Sequence, residues 1–165
     1  MSMGYMEGDE THPIDIVEVI AEYHNWDFDR ITDDQIAMAI EGQWRAYSIT
    51  LAWSGYDTTL RLICTFELDP PEEKLSALYE TLNLVNDQVW TGAFTFWNEQ
   101  RLIVWRYGLS LAGEQIASQE QIDGMISNPM VSAEQFYPAF QLACWGDQSP
   151  EEAIGAAIAG AYGRA

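Results

Sequence analysis

Few side chains in this sequence could carry a reaction, and their spacing argues against the reactions they suggest. Enzymes of the common kinds need a nucleophile, a base and an orienting group, or a metal cluster. His12 and His24 mark the two ends of one expected helix, about 18 Å apart at 1.5 Å per residue, which is too far to share an ion. They read as a cap and a helix end. Asp27, Asp29, Asp33 and Asp34 could serve calcium or acid–base work, but the run lacks the sharp-turn glycine and bidentate glutamate of an EF-hand loop. A solvated turn accounts for them. Gly108, Gly113 and Gly124 form no phosphate loop, because none follows a strand at the required spacing with a Lys or Ser/Thr behind it. Cys64 lies in Leu62-Ile63-Cys64-Thr65-Phe66 and Cys144 in Leu142-Ala143-Cys144-Trp145. Both are apolar settings without a CxxC or a neighbouring histidine, so reduced core thiols are expected. The chain is expected to be no enzyme, with no catalytic residue, no cofactor and no metal.

Periodicity gives the elements that any binding surface must be built on. Ile14, Val17, Ile20 and Ala21 recur at helical spacing behind a capping Thr11 or His12 and Pro13, which predicts a helix to about His24. The period then changes to two. Phe28 with Arg30, and Ile36-Met38-Ile40, read as two short strands across the turn Thr32-Asp33-Asp34. From Trp44 to Trp53 the residues Tyr47, Ile49, Leu51 and Trp53 share one face. From Thr58 to Leu68 the row Leu60, Leu62, Cys64, Phe66 opposes Arg61, Ile63, Thr65, Glu67. Asp69 is placed to cap a helix entered through Pro70-Pro71-Glu72-Glu73 and running to about Asn86, with Leu75, Leu78, Tyr79, Leu82 and Val85 as its stripe. A second hairpin follows, Gly92 to Trp97 and Arg101 to Leu111. A helical period returns from Ser118, where Pro129 and Pro138 are expected to kink or split it, and a last helix opens at Ser149-Pro150-Glu151-Glu152. Strands between helices make this α+β, with helices packed on one face of an antiparallel sheet of about five to six strands. The expected organisation is a flexible head over 1–11, one domain over 12–148, and an Ala/Gly-rich helical extension over 149–165.

Composition narrows the partners. Seven Lys and Arg face 26 Asp and Glu, a net charge of −19. Nucleic acid binding needs clustered cations to neutralise phosphates, so nucleic acid is excluded as an expected partner. Anionic membrane surfaces are disfavoured for the same reason, and no apolar run approaches the roughly 20 residues of a span. The first basic residue is Arg30, so a basic secretory n-region is missing and a cytoplasmic protein is expected. Disorder does not explain the charge, because seven Trp and 13% aromatic residues supply a full core.

The runs Asp33-Asp34-Gln35-Ile36, Glu41-Gly42-Gln43-Trp44-Arg45-Ala46-Tyr47-Ser48-Ile49-Thr50-Leu51-Ala52-Trp53, Leu62-Ile63-Cys64-Thr65-Phe66, Leu82-Asn83-Leu84-Val85-Asn86 and Gly92-Ala93-Phe94 together resemble the YbjN family of bacterial proteins over most of residues 12–145. The resemblance implies a fold like that of type III secretion chaperones: a helix, three strands, a helix, two strands and a closing helix, commonly in small, acidic, dimeric proteins. The residue pattern differs by counting one extra short strand before the first hairpin. The family's label of sensory-transduction regulator names no reaction and carries over no catalytic residues.

Arg61 and Arg106 alternate away from the apolar rows, so they project from the sheet face opposite the helices. That face also holds Ile63, Thr65, Trp97 and Val104. Arg45, Arg61, Arg106, Trp97, Ile63 and Val104 are the candidate partner-binding residues, since guanidinium forks take carboxylates and aliphatic sites exclude water. The plain structural reading pairs Arg61 or Arg106 with Glu67 or Glu99 across strands. Arg45 shares a row with Tyr47, which puts it at the sheet margin. Two functions follow. One is a chaperone-like or regulatory module that binds a protein or peptide and forms a homodimer, helped by the small residues Ala153, Ala157, Gly160 and Ala161. The other is a small-ligand sensor with a pocket of Trp44, Tyr47, Trp53, Trp97 and Trp105 and an acid held by Arg45 or Arg106.

Overall fold

The computed structural model describes residues 12–163, with side chains through residue 158. The expected head over 1–11 and the small residues Gly160 and Ala161 lie outside what is described of side chains. The elements in chain order are α1 Pro13–Tyr23, β1 Asp27–Thr32, β2 Gln35–Glu41, β3 Ala46–Ser54, β4 Thr59–Glu67, α2 Leu75–Gln88, β5 Ala93–Trp97, β6 Leu102–Ser110, α3 Gln119–Trp145 and α4 Pro150–Gly163. The six strands form one antiparallel sheet in the order β1-β2-β3-β4-β6-β5. Four strands, not three, separate the first two helices, as the residue pattern reads.

One sheet face is covered by helices. Alternation sends Leu60, Leu62, Cys64 and Phe66 of β4 inward beside Tyr47, Ile49 and Leu51 of β3 and Ile103 and Trp105 of β6, all buried. They meet Ile14 and Val17 of α1, Leu78, Leu82 and Val85 of α2, and Ile122, Ile126, Phe136 and Phe140 of α3. Each large side chain so buried contributes about 1.5–3 kcal/mol. Phe66 sits edge-on to Tyr47 at 5.5 Å between ring centroids, and Phe94 meets Phe140 at 5.4 Å. Among the described residues no helix is long and apolar enough to cross a membrane.

Helix starts follow local chemistry, with two corrections. His12 caps α1, its Nδ1 accepting from the Ile14 N–H at 3.2 Å. Ser118 and Gln121 close a reciprocal capping box on α3 at 2.9 and 3.0 Å. Asp69, in contrast, does not cap α2. Pro71 is extended and Glu72–Lys74 forms a 3-10 turn, so the helix begins only at Leu75. A residue followed by proline avoids helical backbone, which holds the chain open through Pro70. Asp69 pairs instead with Arg101, 3.3 Å away.

The second correction concerns α3, a single helix of 27 residues through both Pro129 and Pro138. Proline removes a hydrogen bond to the carbonyl four residues before it. For Pro138 that carbonyl belongs to Glu134, and the Trp44 indole N–H donates to it at 3.2 Å. The Glu134 side chain completes the clamp. Its Oε1 accepts the Gln43 N–H and its Oε2 accepts the Tyr47 hydroxyl at 3.0 Å. Burial, reinforced by this carboxylate, raises the Tyr47 hydroxyl pKa well above its ordinary value. The turn joining β2 to β3 is thereby fastened to α3.

α4 packs on α2 and α3, burying Ala153, Ile154 and Ala157. The small side chains of Ala153 and Ala157, one ground for expecting a homodimer, are therefore used inside the monomer.

Candidate functional site

Among the described residues the other face of the sheet carries no helix. Its residues are those skipped by the core alternation, and the strand register arranges them in rows. Ile63, Arg106 and Ala93 lie side by side across β4, β6 and β5. Thr65, Val104 and Thr95 form the next row, and Arg61 faces Gly108. Over β2 and β3 the face is small: Ala37, Ala39, Ser48, Thr50 and Ala52.

A hollow of about 590 Å³ opens over β4 and β6, lined by residues that include Arg61, Ile63, Ala93, Trp97, Arg106 and Gly108. Its shape comes from unequal strands. β5 begins at Ala93 opposite Arg106, whereas β6 continues through Tyr107–Ser110, paired there only with β4. Gly92 closes one side with a positive φ of 75°. A Cβ at that position would lie 2.2 Å from the Trp105 ring, so only glycine lets the chain turn there. The buried Trp105 indole N–H against it has no acceptor. Gly108 leaves the floor between Arg61 and Arg106 without a side chain.

Four of the six candidates, Arg61, Ile63, Trp97 and Arg106, thus meet at one site. Val104 does not contribute, because it is 0% exposed. β6 is an interior strand here, and Thr65 and Thr95 flank that position on both sides. Arg45 also lies elsewhere. It precedes β3, and its guanidinium reaches the Tyr137 hydroxyl at 3.4 Å and Glu67 at 3.9 Å. The aromatic pocket expected from Trp44, Tyr47, Trp53, Trp97 and Trp105 does not form. Tyr47 and Trp105 are spent in the core on the helix side, Trp97 lies on the open side, and Trp44 stacks on Tyr137.

The ion pairs also differ from expectation. Arg61 binds Asp57 at 2.7 Å rather than Glu67 or Glu99, and its guanidinium holds the Asp57 carboxyl below the usual carboxylate range. Arg30 is paired with Asp15 and Glu18, Arg101 with Asp69 and Glu72, and Lys74 donates to the Gly146 carbonyl. Among the described residues Arg106 alone of the basic side chains has neither a carboxylate within 4 Å nor a hydrogen-bond acceptor.

Elsewhere the groups that could do chemistry are engaged structurally. His12 hydrogen-bonds Asp34 at 2.9 Å and His24 meets Asp123 at 3.3 Å. Cys64 and Cys144 are buried free thiols, and burial pushes their pKa values up to about 12 and about 11. Among the described residues no three His, Cys, Asp or Glu side chains gather as metal ligands do.

Fold and face together define a small α+β protein with a helix-covered sheet whose free side holds a basic, partly apolar hollow. The YbjN family, described as "Putative bacterial sensory transduction regulator", matches residues 13–142, and the chain belongs to that family. No curated protein matches it. The matched stretch ends within α3, so α4 lies beyond it.

Proposed function

We propose that this chain is a protein-binding module, chaperone-like or regulatory, that holds another polypeptide on the open face of its sheet around Arg61, Ile63, Trp97 and Arg106. One observation carries the reading: among the described residues Arg106 has no acidic partner at the hollow, on a chain with 26 Asp and Glu. A guanidinium left unmatched amid such an excess of carboxylate is suited to an acid supplied from outside. Apolar Ile63 and Trp97 beside it would exclude water from the contact. The family's description as a regulator agrees with a role that needs no reaction. The test is crosslinking from the native cell followed by mass spectrometry. Crosslinks from the open face to one reproducible polypeptide are expected, and they should be lost in Arg106→Gln and Trp97→Ala. Unchanged crosslinks in both variants would sink the reading.

A small-ligand sensor is the second reading, because about 590 Å³ falls within the range of small-molecule sites. A thermal-shift screen of small organic acids separates the two. A ligand at 100 times its Kd would add about 2.7 kcal/mol of stability, and that gain should vanish in Arg106→Gln.

A further inference from the structure

We infer that the segment held at this site binds as an added β-strand, laid in line with β5 along the free edge of Tyr107–Ser110, with an acidic side chain opposite Gly108. The inference rests on the proposed protein-binding function and specifies its ligand. The edge is the first ground. β6 outlasts β5 by four residues, and among the described residues Tyr107–Ser110 form no hydrogen bond outside their ladder with β4. In an antiparallel strand, alternate residues direct their N–H and C=O groups to opposite sides, so part of this stretch presents unmatched backbone groups outward. Four residues give about 14 Å of edge, long enough to seat a short extended segment.

The second ground is charge. A residue of the added strand facing Gly108 would have Arg106 as its diagonal neighbour on β6 and Arg61 directly beyond Gly108 on β4. Diagonal neighbours on a sheet face lie about 7–8 Å apart, within reach of long side chains. Gly108 contributes no side chain of its own there, and its neighbour is the Thr59 methyl, 3.2 Å from where a Cβ would stand. The chain's overall negative charge does not cancel this local field. Asp27 and Asp29 lie on β1, four strands from β6, or about 19 Å at ordinary strand spacing. That exceeds two Debye lengths of about 8 Å at physiological salt. Asp57 pairs with Arg61 and offsets its charge, which leaves Arg106 as the unbalanced positive group at the site. The residual preference is therefore for a carboxylate on an extended backbone.

A display library of random ten-residue peptides on the full-length protein tests this. Enriched peptides should share one Asp or Glu flanked by β-branched residues, and Arg106→Gln should weaken the best of them about tenfold. On binding, those backbone amides of Tyr107–Ser110 that face the free edge, Gly108 and Ser110, should become slower to exchange with deuterium, and N-methylation of alternate peptide amides should abolish binding. A library that yields no binder, a bound peptide that leaves exchange at Tyr107–Ser110 unchanged, or an N-methylated peptide that binds equally well would each overturn strand addition. The proposed function survives those results if Arg106→Gln still removes the native crosslinks. It falls separately if the crosslinks do not depend on Arg106 and Trp97.

Discussion

Replacing Glu134 with alanine should be among the most damaging single changes outside the hydrophobic core. The side chain serves two donors from another part of the chain, the Gln43 N–H and the Tyr47 hydroxyl. Tyr47 is 0% exposed, so water cannot readily replace the lost acceptor. An unsatisfied buried group of this kind costs about 1–3 kcal/mol. The Gln43 N–H is exposed, and its loss adds about 0.5–1 kcal/mol. Together the two losses predict a destabilisation of about 1.5–4 kcal/mol. With a urea m-value of about 2 kcal/mol/M, the unfolding midpoint should fall by about 0.8–2 M at unchanged slope. Glu134→Gln should recover most of this, because its amide oxygen can accept from Gln43 while its NH2 donates to the Tyr47 oxygen. Tyr47→Phe in the Glu134→Ala background should cost less than Tyr47→Phe alone, with a coupling of about 1–2 kcal/mol. The reasoning is refuted if Glu134→Ala shifts stability by less than about 0.5 kcal/mol, or if the two substitutions simply add.

Three further outcomes are expected. Tyr47, Cys64 and Cys144 all have pKa values raised on folding by burial, so the unfolded chain releases these protons first. Their stabilisation is complete below pH 8.5, declines as pH climbs past about 9, and is lost through the folded values, at about 1.4 kcal/mol per pH unit for each group titrating in the unfolded state alone; urea titrations from pH 8 to 11 would show no slope if this is wrong. Gly92→Ala and Gly113→Ala both place a side chain at positive φ, but only the first collides, with the Trp105 ring. Calorimetry should find about 1 kcal/mol lost for Gly113→Ala and about 2–4 for Gly92→Ala, and equal losses would contradict the close contact. In acid, α4 should loosen early. The Ser149 N–H and hydroxyl hold the Glu152 carboxyl below its ordinary pKa, so the cap it supplies is present above the unfolded value and disappears as pH falls through the folded one; helix-resolved NMR amide exchange that stays flat in this range would refute it.

The fold was legible wherever one face of an element is buried. The alternation in Leu60, Leu62, Cys64 and Phe66 marked the helix side of β4 and, by the same count, put Arg61 and Ile63 on the other side. Arg106 and Trp97 followed in the same way. What alternation cannot reveal is how far neighbouring strands cover a position. Val104 has the correct parity and is closed over, while Arg45 has a plausible row but lies one residue before β3 begins. The hollow was hidden because it comes from the difference in length between β5 and β6. Gly108 was its one local signal, since a glycine inside a strand pattern often marks a close approach or a missing side chain. Glu134 gave no local signal, because the Gln43 N–H and the Tyr47 hydroxyl that donate to its carboxylate are about 90 positions away in sequence and are brought near only by the closed fold.

Because α4 covers α2 and α3 with Ala153, Ile154 and Ala157, the stretch that matches the family lacks part of the buried core of this chain. A version shortened to end at Gly146 should uncover an oily seam along those two helices and melt at a lower temperature than the parent. That seam, which α4 covers in the full chain, would be the first surface through which shortened copies stick to one another.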